Sequence, residues 1–99
     1  MVIIDFYAEQ GTDFNKSITL NNDVTNYTIS SKLEDSVGVS IDSFCTLTDD
    51  SIGKIDLVLS EIQTSSLNNG VCKYTIELTS DTGKTIRVAK GRIYIDKEL

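Results

Sequence analysis

The run "DTGKTIRVAKGRIYI" at residues 81–95 contains Gly83-Lys84-Thr85, the residue types that close a phosphate-binding P-loop. In such a loop the backbone N–H groups cradle the phosphates, the lysine reaches their oxygens, and a further glycine stands five residues before the second. Here that position holds Leu78, inside an alternating run. Gly83 is therefore expected to supply the positive-φ position of a hairpin loop. Carboxylates are the other groups able to do chemistry. "TDDS" (48–51) sets Asp49 and Asp50 in a loop where oxygens could hold calcium, but the spacing matches no EF-hand and the expectation is a solvated turn. Glu9 and Asp13 flank Gly11 and read as turn residues rather than an acid–base pair. The chain has no histidine, which removes imidazole general bases, Ser-His and Cys-His nucleophilic pairs and histidine-containing zinc sites. Two cysteines cannot close a zinc site alone. The residues predict a protein without catalytic residues, metal or cofactor.

Charge narrows the partners. Fifteen acidic against nine basic residues leave a net charge of -6, a field that repels phosphate backbones and anionic lipid, so neither nucleic acid nor a membrane surface is expected. No apolar run approaches the ~20 residues of a membrane span. "MVIIDFYAEQ" has no basic segment before its apolar residues and meets Asp5 early, which predicts a chain made in the cytoplasm of its host. Cys45 and Cys72 then read as reduced, buried small hydrophobes, and the glycosylation sequons at 15 and 26 as chance matches.

The elements that must position these residues are strands. The 99 residues suffice for one domain, 1–99, burying roughly 60 to 70% of the unfolded surface. Period-two alternation recurs through about seven segments. These are "VIIDFY" (2–7), residues 14–20 with Phe14 and Ile18 on one face, 27–34 with Tyr27, Ile29 and Leu33 together, and "VSIDSFCTL" (39–47), where Phe44 falls out of step. "GKIDLVLS" (53–60), residues 72–79 and the last strand complete the set, while Ile62 and Leu67 fit an irregular or single helical turn plugging one end of a core. Tyr74, Ile76, Leu78, Ile55, Leu57 and Ile29 are expected to share that core. In the last strand Ile86 and Val88 are even but Ile93 and Ile95 odd, which predicts a β-bulge at Gly91. Seven short strands with regularly spaced turns predict an all-β fold, an Ig-like β-sandwich of about seven antiparallel strands. A small barrel is the alternative.

The N-terminal strand is apolar on both faces. Val2, Ile4 and Phe6 share one parity, and Ile3 and Tyr7 the other, so one pair is expected either beneath the chain's own covering or against another subunit. Arg87, Arg92 and Tyr94 lie on the outward parity of the last strand. Ile3, Tyr7, Arg87, Arg92 and Tyr94 are thus the candidate assembly interface.

The segments "EQGTDFNKSITL" (9–20), "VTNYTISSKL" (24–33), "GKIDLVLS" (53–60) and "CKYTIELTSDTGKTIRVAKGRIYI" (72–95) stand in an order that resembles a small domain of tailed-bacteriophage virion proteins. It is similar to the N-terminal domain of siphophage upper-baseplate proteins. Asn26 stands where that family usually has a glycine, and the segment between Leu33 and Phe44 is short. The resemblance implies a non-enzymatic virion structural protein that docks on a tail, baseplate or neck assembly, with other virion proteins and repeated copies of itself as partners. A capsid-surface decoration protein or a receptor- or carbohydrate-binding module on the particle is the alternative.

Overall fold

Alternating side chains become two sheets facing each other across one core. The computed structural model describes residues 1–97. Among these, nine strands and one helix run in the order β1 (Val2–Ile3), β2 (Phe6–Glu9), β3 (Phe14–Thr19), β4 (Thr28–Glu34), β5 (Ser40–Asp42), β6 (Cys45–Asp49), β7 (Lys54–Leu59), α1 (Glu61–Ser66), β8 (Gly70–Thr79) and β9 (Thr85–Asp96). The larger sheet has the order β1-β9-β8-β4-β5, with β2 also pairing β9, and the smaller the order β3-β7-β6. All pairs are antiparallel except β1 and β2, which run parallel to β9.

The core takes Leu33, Cys72, Tyr74, Ile76, Ala89, Ile93 and Ile95 from the larger sheet, and Phe14, Ile18, Cys45, Ile55, Leu57 and Leu59 from the smaller. Each large aliphatic side chain so enclosed contributes about 1.5–3 kcal/mol through removal of its apolar surface from water. The expected core is present. Leu78 is fully buried, although outside this continuous cluster, and Ile29 packs half-buried against it.

Seven expected strands become nine because two of them break. In "VSIDSFCTL", β5 joins the larger sheet and β6 the smaller, with Ser43 at a positive φ of 61° where the chain changes sheets. The out-of-step parity of Phe44 marks that crossing: it is buried, and its carbonyl accepts from Val58 N at 2.9 Å. The second break, at Ile4-Asp5, divides "VIIDFY". Ile4 N donates to Lys90 O at 3.1 Å, and a regular parallel ladder would return a bond from Arg92 N to Ile4 O. Instead the Ile4 carbonyl accepts from the Tyr74 hydroxyl at 2.6 Å, and the Asp5 carboxylate accepts from Arg92 N at 2.9 Å in its place.

Gly91 makes this possible, and its role differs from the expected bulge. A Cβ built on Gly91 would overlap the Ile4 carbonyl and lie 3.1 Å from Tyr74 Cε1. The register slip occurs at Val88 instead: Ile76 pairs Ala89 and Glu77 pairs Arg87, leaving Val88 as the extra residue. Both devices answer the same parity conflict, but only one needs a missing side chain. Ile86, expected in the core, lies opposite Leu78 and remains 42% exposed. Its strand has no neighbour on the other edge there, because β1 begins only opposite Ala89.

One end of the sandwich is closed by α1. Ser60 and Gln63 form a reciprocal capping box, and the buried Thr64 hydroxyl accepts from Gly11 N at 3.1 Å and donates to Thr12 O at 2.8 Å. Leu67 plugs the core as expected, whereas Ile62 points into solvent. Asn26 adopts a φ of 68°, a left-handed conformation that asparagine tolerates and glycine favours.

The Ile4 junction gives a test. Gly91→Ala forces two backbones apart and is expected to cost roughly 2–4 kcal/mol. Tyr74→Phe strands the Ile4 carbonyl and is expected to cost roughly 1–3 kcal/mol. Urea unfolding monitored by circular dichroism measures both, and wild-type stability in Gly91→Ala would contradict the close approach.

Candidate assembly surface

The outer face of the larger sheet is built by the outward parities of β8 and β9 and by the edge segment β1–β2. Cross-strand partners share a face. Ile3 stands beside Lys90, Tyr7 beside Tyr94, Tyr94 beside Val71, Arg92 beside Lys73, and Arg87 beside Glu77. The structure therefore brings Ile3, Tyr7, Arg87, Arg92 and Tyr94 onto one surface. Ile3 is 68% and Tyr7 71% exposed, while Val2, Ile4 and Phe6 turn to the core. Nothing in the chain covers the second apolar face of the N-terminal segment among the described residues.

Tyr7 and Tyr94 stack with ring centroids 5.1 Å apart and planes 20° from parallel. Together with Val71, they form an apolar row across three strands at the end nearer α1. Val71 was not among the expected site residues, although its parity, opposite to that of Cys72, carries the signal. Below this row, Ile3, Asp5, Lys73, Lys90 and Arg92 line a shallow groove of about 400 Å³. The two lysines also lie on outward parity in the sequence. Arg87 sits farther along β9, where its guanidinium approaches Glu77 at 3.8 Å, an exposed pair of little energetic weight.

The other chemical candidates fall into structural roles. Gly83 has a φ of 88°, its N–H donates to Ser80 O at 3.0 Å, and Lys84 N donates to Ser80 Oγ at 3.1 Å. The N–H groups a phosphate would need are thus taken by the hairpin loop. Asp49 Oδ1 accepts from Ser51 N at 3.2 Å and Ser51 Oγ at 2.6 Å, closing the β6–β7 turn. Asp13 accepts from Glu61 N at 3.0 Å and so holds the first turn of α1. Cys45 and Cys72 are buried and unbridged, and burial pushes their thiols up to about 12 and about 11. At neutral pH both are protonated and poorly nucleophilic. Burial likewise raises the Tyr74 hydroxyl to about 12, with the charges of Asp5 and Cys45 acting in the same direction.

Asp35 is the carboxylate that sequence reasoning missed. It is 5% exposed, and it accepts from Val37 N and Val39 N on one oxygen and from Asn68 N and Asn68 Nδ2 on the other, at 2.9–3.0 Å. Burial acts to raise its pKa, but the four N–H donors outweigh it and hold the carboxyl at about 2, below its ordinary 3.8. The side chain joins the β4–β5 turn to the segment after α1.

No family model matches the chain, and no curated protein does.

Two measurements follow from this geometry. Because the folded-state pKa of Asp35 is depressed, its contribution is complete above 3.8 and is lost as pH falls towards about 2. The stability advantage of wild type over Asp35→Ala, expected to be roughly 1–3 kcal/mol near neutrality, should shrink across that window in urea titrations. A pH-independent difference would remove the carboxylate from the account. Calorimetry with ATP and magnesium should give no saturable heat, and an isotherm weakened by Lys84→Ala would restore the phosphate reading of Gly83-Lys84-Thr85.

Proposed function

We propose that the chain is a non-enzymatic structural protein of a tailed-phage virion, an Ig-like sandwich that docks through the outer face of its larger sheet onto a tail, baseplate or neck assembly. The strand order supports the Ig-like part of this reading. Five strands in the order β2-β9-β8-β4-β5 face β3-β7-β6, with the first segment parallel to the last strand. This corresponds to a C-F-G sheet, widened by β2 at one edge and β5 at the other, that faces B, E and D. The inter-sheet disulfide of antibody domains has no counterpart: β3 presents Phe14 and Ile18, and both cysteines are free.

The docking reading is carried by one observation, the stacking of the exposed Tyr7 on the half-buried Tyr94 beside Val71 on a regular sheet face. Rigid aromatic rings beside aliphatic side chains supply contact area at low conformational cost. Repetition of a modest contact around a symmetry axis gives a firm attachment without a large single interface. The resemblance of the segments at 9–20, 24–33, 53–60 and 72–95 to phage virion domains supplies the setting.

A carbohydrate- or receptor-binding module is the second reading, and the same two rings are its only aromatic platform on this face among the described residues. Their mutual stacking leaves each with one free side at most, which favours a protein contact over a sugar clamped between rings.

In particles purified from the phage encoding the chain, the wild-type protein is expected as a stoichiometric component. The Ile3→Ser/Tyr7→Lys variant should stay folded in isolation and be missing from the particles. Absence of the wild-type chain from the particles would end the virion reading. A folded double variant at full occupancy would move the docking surface off this face, and an unfolded one would assign both side chains to the fold.

A further inference from the structure

We infer that the groove on the outer face of the larger sheet, together with the aromatic row beside it, receives an acidic segment of a partner polypeptide whose carboxylates are followed by an apolar residue. This rests on the docking reading and names the chemistry of what is docked. Three cations converge on the groove. Lys73 and Arg92 are cross-strand neighbours, and Lys90 lies two residues before Arg92 on the same face of β9. Two residues beyond Arg92 comes Tyr94, so β9 presents cation, cation and aromatic ring at successive steps of roughly 7 Å. An extended partner shows alternate side chains at the same interval, which matches two carboxylates and then an apolar group. Val71 and Tyr7 widen the apolar end to three strands.

The groove's cations are available. Among the described residues the ion pair is Arg87 with Glu77, outside the groove, and none involves Lys73, Lys90 or Arg92. The acidic groups of this face are Asp5, which lines the groove, Glu34, Glu77 and Asp42 farther along it, and the cross-strand pair Glu9 and Asp96 just past the apolar row. One Asp5 oxygen is engaged with the Arg92 backbone N–H, which holds that carboxylate against the sheet, and Glu34 lies beyond Lys73 on β4.

These two carboxylates also select the class of partner. Duplex DNA carries one charge per ~1.7 Å and cannot pass the groove without meeting them. Spaced carboxylates on a polypeptide can sit over the cations alone. Charges elsewhere on the molecule are screened beyond about 8–10 Å at ordinary ionic strength. The apolar row has no use for a phosphodiester or a sulfated glycan, but it fits an aliphatic or aromatic side chain.

The probe is a synthetic dodecapeptide of alternating glutamate and serine ending in leucine and tyrosine, with a glutamine-for-glutamate control. Amide chemical-shift titration of the whole protein is expected to give saturable shifts centred on Lys73, Thr75, Lys90, Arg92 and Tyr94. Affinity should fall about tenfold when salt rises from about 50 to 500 mM, because surface charges are then screened within a few ångströms. A Lys73→Glu/Arg92→Glu variant, altered only at outward side chains, should lose the shifts while keeping its dispersed spectrum. Should it fail to fold, the salt dependence and the glutamine control decide in the wild type. Equal binding of the glutamine peptide, shifts centred on another surface, or stronger shifts with a thymidine oligonucleotide would each overturn the inference. None of these outcomes bears on whether the chain enters particles, so the two readings fail separately.

Discussion

The buried hydroxyl of Tyr74 must find an acceptor, and the way it does so organises the N-terminal edge of the sandwich. Left unbonded, a buried hydroxyl costs a few kcal/mol. The acceptor it takes is the Ile4 carbonyl, turned out of its ladder towards the core. That rotation removes the partner of Arg92 N, which Asp5 replaces, and it brings backbone so close to β9 that only glycine fits at 91. Five residues from three parts of the chain thus depend on one hydrogen bond. Phe6, just past the junction, packs edge-on against Phe14 and tilted against Tyr74, with centroids 5.9 and 6.1 Å away. The aromatic cluster fixes the first strand to both sheets.

The outer face is a consequence of this arrangement. A parallel edge strand in register with β9 necessarily sets Ile3 beside Lys90 and Tyr7 beside Tyr94, so the apolar row and the basic groove arise from the same pairing that positions Ile4. Its exposed apolar groups are placed by backbone hydrogen bonds rather than by side-chain packing. The surface can therefore be altered without loosening the core beneath it. Such separation suits a docking face, where the scaffold holds side chains rigid before a partner arrives.

At the end that α1 closes, polar contacts take over from apolar ones. Asp35 gathers the β4–β5 turn and Asn68, while Thr64, Gln10 and Asp13 tie the β2–β3 loop to α1. These bonds link loops that alternation alone leaves undefined, and every buried side-chain polar atom among the described residues has a partner. The short helix would be marginal alone. It persists because its one buried hydroxyl and Leu67 are held by the sheets it closes.

Much of this was legible in the residue order. Strict alternation in Cys72–Thr79 and Ile55–Leu59 specifies which side chains face inward, because a one-residue slip would expose them all. Gly83 is identifiable as a turn residue for a similarly local reason, its freedom at positive φ. The outward parity of Ile3, Tyr7, Arg87, Arg92 and Tyr94 follows from the same two-residue period. Parity, however, says nothing about neighbours. That β5 and β6 lie in different sheets, that the slip falls at Val88 rather than Gly91, and that Ile86 stays exposed depend on which strands end beside which. Lys73, Lys90, Tyr7 and Val71 come from three separate segments and meet only through the antiparallel pairing of β8 with β9 and the parallel pairing of β2 with β9. The sequence by itself determined the faces of the strands, because side-chain direction is a property of the local backbone. Only the tertiary structure decided the edges, the crossings and the composition of the outer surface, because those depend on hydrogen bonds between strands that carry no local signal.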